Sequence, residues 1–236
     1  MFRMFTQFHN FMEVEYLPVV LPPENVNENA VLFAQRTSHA IATGLNVVQT
    51  SHSYGDLMLL TKASEFKQVK PSLYMVEMAW IESSFHLSNL EAVDLLDKFL
   101  SMNPDSSGHV TIHDFLRVLK LKPCALSEKI FQFVDVQKTG KITFKQFLLG
   151  SAHILKQPLF PHSCALAFDR CNAKGVEYIS EQELGDALAL VMPNLDVDEI
   201  HGLFTLFDID GDGRISKDDF TTCLRQNPLL IALFSP

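Results

Sequence analysis

The chain has 236 residues and a formal net charge of -9, with 28 acidic against 19 basic side chains. That balance excludes the basic footprint of a nucleic-acid-binding protein and offers no electrostatic attraction to an anionic lipid surface. The length suffices for one or two domains with sizeable cores, and no stretch approaches the ~20 consecutive apolar residues of a membrane helix.

The first residues, MFRMFTQFHNFM, are Phe-rich but broken by Arg, Gln, His and Asn, and they lack a signal-peptide pattern. Glu13 to Val20 alternates and is rich in β-branched residues, which predicts a strand stopped by Pro22 and Pro23. No partner strand lies nearby. Ala30 to Thr43 reads as a helix with Gly44 as its stop, and Asp56 to Ala63 as a short helix. Ser64 to Pro71 is charged and reads as loop. Ser72 to Ser83 has helical composition and holds the one tryptophan, Trp80, which is expected in the core. His52 and Asp56, four apart, read as a cap or turn. The cysteines, Cys124, Cys164, Cys171 and Cys223, show no C-x-x-C spacing. They suit a reduced, cytoplasmic setting as small buried apolar residues.

From Asn89 onward the chain repeats itself. When Asn103, Asp135, Asn172 and Asp208 are aligned, each is preceded at four residues by phenylalanine: Phe99, Phe131, Phe168 and Phe204. Seven residues on stand Val110, Ile142, Ile179 and Ile215, and twelve on stand Phe115, Phe147, Leu184 and Phe220. The flanking apolar residues have helical spacing. The pattern predicts an all-α fold of helix-loop-helix units in two pairs, 86–155 and 160–229, preceded by residues 1–85. The Val110/Ile142 and Ile179/Ile215 positions are expected to form short two-stranded pairings. Lys156 to Pro161 would be the joint between pairs.

The fourth loop, DIDGDGRISKDD, has the spacing of an EF-hand calcium loop. Asp208, Asp210 and Asp212 occupy positions 1, 3 and 5. Gly213 takes the sharp turn at position 6, Arg214 offers its carbonyl at 7, and Ser216 and Asp219 stand at 9 and 12. Such a ring of oxygens suits Ca²⁺, with Mg²⁺ able to compete. Asp219 stands where a bidentate Glu is usual, so modest affinity is expected. The first loop offers a weaker set: Asn103, Asp105, Ser107, the His109 carbonyl, Thr111 and Asp114. The second has Gln137, Thr139 and Gln146 amid Lys138, Lys141 and Lys145, and is expected not to bind. The third has Lys174 and Val176 at ligand positions and Glu177 in place of the turn glycine. It is expected to survive as scaffold.

No G-x-S-x-G, P-loop or G-x-G-x-x-G occurs. His109 and Asp114 share the spacing of the His/Asp motif of glycerolipid acyltransferases, but both lie inside the first loop, where the spacing reads as coincidence.

FMEVEYLPVVLPPE and LFAQRTSHAIATGLNVVQTSHSYGDLMLLTKA resemble the region after the acyltransferase domain in EF-hand-bearing lysophospholipid acyltransferases, above all the plant lysophosphatidylethanolamine type. The likeness continues through VTIHDFLRVLKLKPC, ITFKQFLLGS, ISEQELGDAL and NPLLIALF. It implies that 1–85 is the tail of an acyltransferase domain plus linker helices, with Glu13 to Val20 the last strand of a sheet. The family's full-length enzymes sit at the endoplasmic-reticulum membrane, which implies cytosolic EF-hands. Their catalytic motif maps onto no position here, so the chain is expected not to be an enzyme. The family has a more acidic third loop than CNAKGVEYIS. Two functions follow as expectations: a Ca²⁺-binding regulatory part of a lysophospholipid acyltransferase, partnered with its catalytic domain, or a stand-alone EF-hand adaptor that takes a partner helix.

Overall fold

The structure, a computed structural model, describes residues 14–21, 28–172, 175–192 and 194–234. It divides into two compact units, Met1–Ser51 and His52–Pro236.

In the first unit, helix α1 spans Ala30–Gly44 and starts where the Asn29 side chain accepts the Leu32 N–H at 2.9 Å. Arg36 holds both Glu28 carboxylate oxygens, at 2.8 and 2.9 Å, and donates to the Leu21 carbonyl at 2.6 Å. Leu17 lies against Gly44 so closely that a Cβ there would fall 2.3 Å from a Leu17 methyl. The strand expected from Glu13 to Val20 does not form over residues 14–20, and Glu13 itself lies outside the described residues. Pro18 has no N–H to give a ladder, and no second strand is present among the described residues of this unit.

The second unit begins with α2 (Tyr54–Glu65), a 3₁₀ turn (Pro71–Tyr74) and α3 (Met78–Phe85). Asp56 organises this region. Its fully buried carboxylate accepts backbone N–H groups from Ser53, Val76 and Glu77 at 2.9 Å and from Met78 at 3.0 Å. Burial pushes the carboxyl up, but the four donors together outweigh it and hold the group below its ordinary value. His52 stands 3.7 Å from the same carboxylate, so the His52/Asp56 pair belongs to a helix cap. Glu77, at φ 62°, starts α3 in a left-handed turn that directs Met78 and Ile81 inward. Trp80 is thereby 50% exposed, edge-on to Phe85, and not in the expected core.

Four helix-loop-helix units follow. They comprise α4 (Asn89–Ser101) with α5 (Ile112–Val118), α6 (Ala125–Val134) with α7 (Phe144–Leu155), α8 (Phe160–Cys171) with α9 (Glu181–Ala189), and α10 (Val197–Phe207) with α11 (Lys217–Gln226). Strands β1 (His109–Thr111) and β2 (Lys141–Thr143) pair antiparallel with Val110 opposite Ile142. Strands β3 (Tyr178–Ile179) and β4 (Ile215–Ser216) pair with Ile179 opposite Ile215. These four residues are at most 1% exposed, and so are Phe99, Phe115, Leu184 and Phe220. The fold is therefore the all-α EF-hand arrangement that the repeat predicts.

Phe99 packs against Tyr74, Phe144 and Phe147, with centroids 5.6–6.3 Å apart, and so joins the 3₁₀ turn to the first pair. After α11, a second 3₁₀ segment, Pro228–Leu233, forms a strap. It buries Pro228, Leu229, Leu230 and Leu233 and packs on α6, α7, α8 and α11. No helix among the described residues is long and apolar enough to cross a membrane.

Candidate metal centre

The loops are built on helix caps. In all four units the side chain at position 9 (Thr111, Thr143, Ser180 or Ser216) is the N-cap of the exit helix and accepts the backbone N–H of position 12. The position-12 side chains of loops two to four, Gln146, Glu183 and Asp219, close a capping box in return. Such a cap is worth about 1 kcal/mol without any metal. Oxygen-bearing residues at positions 9 and 12 are thus expected even in loops that bind nothing.

Loop four departs from its neighbours in what stands before the cap. Carboxylate oxygens of Asp208, Asp210 and Asp212 all lie within 4.8 Å of one another, a grouping found nowhere else among the described His, Cys, Asp and Glu residues. Backbone amides hold them in place. Asp208 accepts from Gly211 and Gly213 at 3.0 Å, Asp210 from Asp212 at 3.2 Å, and Asp212 from Arg214 at 2.8 Å. Gly211 and Gly213 take φ of 72° and 80°, which glycine adopts without strain. The Arg214 guanidinium turns away from the acids and lies 4.6 Å over the Tyr178 ring, across the β3–β4 pair. Its carbonyl remains the position-7 contribution. Asp219 is not among the converging three. Its carboxylate accepts from the Ser216 N–H at 3.1 Å and the Ser216 hydroxyl at 2.5 Å. The donor set is all oxygen, which suits a hard divalent cation. Three anionic groups this close repel one another, and a cation would remove that cost.

Loop one is differently arranged. Its incoming helix ends at Met102, and Asn103 takes φ 55°, whereas Asp135, Asn172 and Asp208 close their helices at negative φ. The His109 carbonyl accepts the Asp105 N–H at 2.8 Å. Asp105 accepts from the His109 and Ser107 amides and the Ser107 hydroxyl, at 2.7–3.0 Å, and its second oxygen lies 3.3 Å from the Lys141 ammonium. The His109 amide leads in holding the Asp105 carboxyl far below its usual range, despite some desolvation. Thr111 and Asp114 bond to each other at 2.8 Å and Asp114 also meets Arg117 at 3.4 Å. Asp105, Ser107, His109, Thr111 and Asp114 thus spend oxygens on the loop itself, on Lys141 and on Arg117. The part played by Lys141 escaped sequence reasoning, although its place opposite Thr111 follows once the strand register is known.

In loop two, Asp135 is buried and accepts from Thr139 and Gly140 amides at 3.1 and 2.7 Å, while the Thr139 hydroxyl donates to the Lys141 carbonyl at 2.8 Å. In loop three, the Asn172 amide bonds across the loop to both backbone groups of Val176.

Paired helix-loop-helix units joined by short ladders, with one loop of converging carboxylates, define an EF-hand protein, and residues 163–225 match the EF-hand domain pair family. The whole chain is 64% identical to lysophospholipid acyltransferase LPEAT2 of Arabidopsis thaliana, and covers 44% of that protein. It is 26% identical over 98% of its length to lysophosphatidylcholine acyltransferase 2 of Homo sapiens, covering 42% of it. It is 28% identical over 91% to lysophosphatidylcholine acyltransferase of Drosophila melanogaster, covering 40%. The chain is a close homologue of a plant lysophospholipid acyltransferase and spans under half the length of these relatives. These names correct the expectation of a non-enzyme. A homologue that aligns with the whole chain is named as an acyltransferase, so the chain corresponds to 44% of a protein that is named as an enzyme. Searching the sequence for catalytic motifs could not show this, because motif absence describes only the residues at hand.

Proposed function

We propose that this chain is the cation-responsive part of an acyltransferase acting on lysophospholipids, and that loop four holds one regulatory Ca²⁺, with Mg²⁺ as a weaker competitor. The observation that carries the reading is the convergence of the Asp208, Asp210 and Asp212 carboxylates within 4.8 Å. These three would ligate directly, with the Arg214 carbonyl. Ser216 would act directly or through water, and Asp219 would join once it turns from its cap. The ion supplies positive charge that gathers these oxygens, and the residues set how far the exit helix must move. Loop one has at most a secondary part, since Lys141 already faces Asp105. In the same reading, 1–85 serves the acyltransferase domain as its tail and linker, while 86–155 and 160–229 form the two EF-hand pairs. The catalytic domain is the partner of the whole.

Calorimetric titration with CaCl₂ tests the site. One dominant site is expected, with a Kd of roughly 10⁻⁵ to 10⁻³ M. Asp208→Ala should weaken it about tenfold or more, since it removes one ligand and the acceptor of two loop amides. Two equally tight sites, or full binding by the variant, would refute the assignment.

Asp219→Glu should tighten binding by roughly tenfold, because the longer side chain can reach the ion with both oxygens. The fold should accept it, since glutamate is the usual partner of serine in a capping box. Unchanged affinity would show that the loop has already adjusted to aspartate.

A further inference from the structure

The strap ends on Phe234, and Phe234 rests on both ends of loop four. Phe207 immediately precedes Asp208, and Phe220 immediately follows Asp219. The two rings stack with centroids 5.0 Å apart at 25°, and Phe234 lies 5.8 Å from the first and 5.1 Å from the second. Phe207 and Phe220 are fully buried and Phe234 is 9% exposed. The Arg170 guanidinium donates to the Phe234 carbonyl at 3.0 Å and fixes the end of the strap. At its beginning, only Asn227 separates the strap from α11, and that residue is buried with its amide on the Cys223 carbonyl at 3.1 Å. The strap therefore has no slack of its own. It follows α11 at one end and touches the loop's two flanking rings at the other.

In this arrangement Asp219 caps α11 and stands apart from the three converging acids. For Asp219 to reach a cation, the first turn of α11 must approach Asp208. Phe220 is the next residue on that turn, so its ring must slide over Phe207. The seat of Phe234 on both rings is then lost.

We propose that ligation by Asp219 and seating of the strap oppose one another, so that cation binding in loop four loosens the Pro228–Phe234 segment from the face of α6, α7 and α8. The inference rests on the loop-four reading above. Because linkage is reciprocal, a chain whose strap is weakened must bind the cation more tightly. The apolar residues on which the strap lies, including the buried Ile130 and Phe160, would become more accessible with the ion bound.

The test is a CaCl₂ titration by calorimetry on the wild-type chain, Phe234→Ala and Arg170→Ala, together with hydrogen exchange of the strap amides with and without Ca²⁺. Arg170 is exposed, so its removal frees the end of the strap without opening the core, and it carries the test should Phe234→Ala not fold. Both variants are expected to bind about fivefold or more tightly than wild type. Strap exchange should accelerate as Ca²⁺ saturates. Equal or weaker affinity in the variants, or slower strap exchange with Ca²⁺, would overturn the linkage while leaving the ion site standing. Absence of heat in all three chains would overturn the ion site itself, and the linkage with it.

Discussion

Replacing Phe99 by alanine is expected to destabilise the His52–Pro236 unit by about 3–5 kcal/mol, the range for truncating a buried aromatic. Phe99 is 0% exposed and touches three rings from two other elements: Tyr74 of the 3₁₀ turn, and Phe144 and Phe147 of α7. Its loss removes transfer energy and leaves a cavity that cannot collapse, because the neighbours are anchored in different helices. Each edge-to-face or tilted ring pair adds about 0.5–1.5 kcal/mol beyond area. Phe133, 47% exposed on α6, is the matched control, and Phe133→Ala should fall within about 0.5 kcal/mol of wild type. Urea unfolding followed by circular dichroism reads both. A cost for Phe99→Ala no larger than the control would show that the ring cluster does not bind the 3₁₀ turn to the first pair.

Asp56→Ala is expected to cost about 3 kcal/mol, because Val76, Glu77 and Met78 would each lose a charged acceptor for a backbone N–H. Asp56→Asn keeps one acceptor oxygen and should cost less. The effect depends on pH with a definite sign. The folded-state carboxyl titrates below its unfolded value, near 3.9, since the four amide donors outweigh burial. Its contribution is therefore fully present above that unfolded value, and is lost as pH falls through the folded-state value. Wild type should lose urea resistance between about pH 5 and the folded-state value, while Asp56→Asn should show a flatter profile over that window. Parallel profiles would mean that other carboxylates govern acid unfolding.

Much of the fold was legible because the repeat states it four times. The phenylalanine four residues ahead of each loop, the aliphatic at position 8 and the apolar residue at position 13 all lie in the core. The strand pairings follow from the position-8 residues alone. Trp80 was misplaced because helical composition does not tell where a helix begins, and the left-handed Glu77 decides which face turns inward. The strand at Glu13 to Val20 was a propensity without a partner, and propensity alone does not make a ladder. At the candidate metal centre, the converging Asp208, Asp210 and Asp212 could be read from spacing, but the cap that holds Asp219 could not be separated from a ligand role. Both uses call for the same residue types three apart. The strap was visible only as the apolar run NPLLIALF. Its seat depends on contacts between residues far apart in sequence, such as Arg170 with Phe234.

The ammonium of Lys141 beside Asp105 gives loop one a counter-ion from the second loop. As an energy term the exposed pair is small, under about 1 kcal/mol. As a dose it is unlike any dissolved metal, because a tethered charge never dilutes. On the proposed reading, the first pair would keep one setting through every swing in ionic calcium, and only the fourth loop would be left to listen. A receiver needs a fixed end against which movement is felt, and a lysine on the neighbouring strand would provide it.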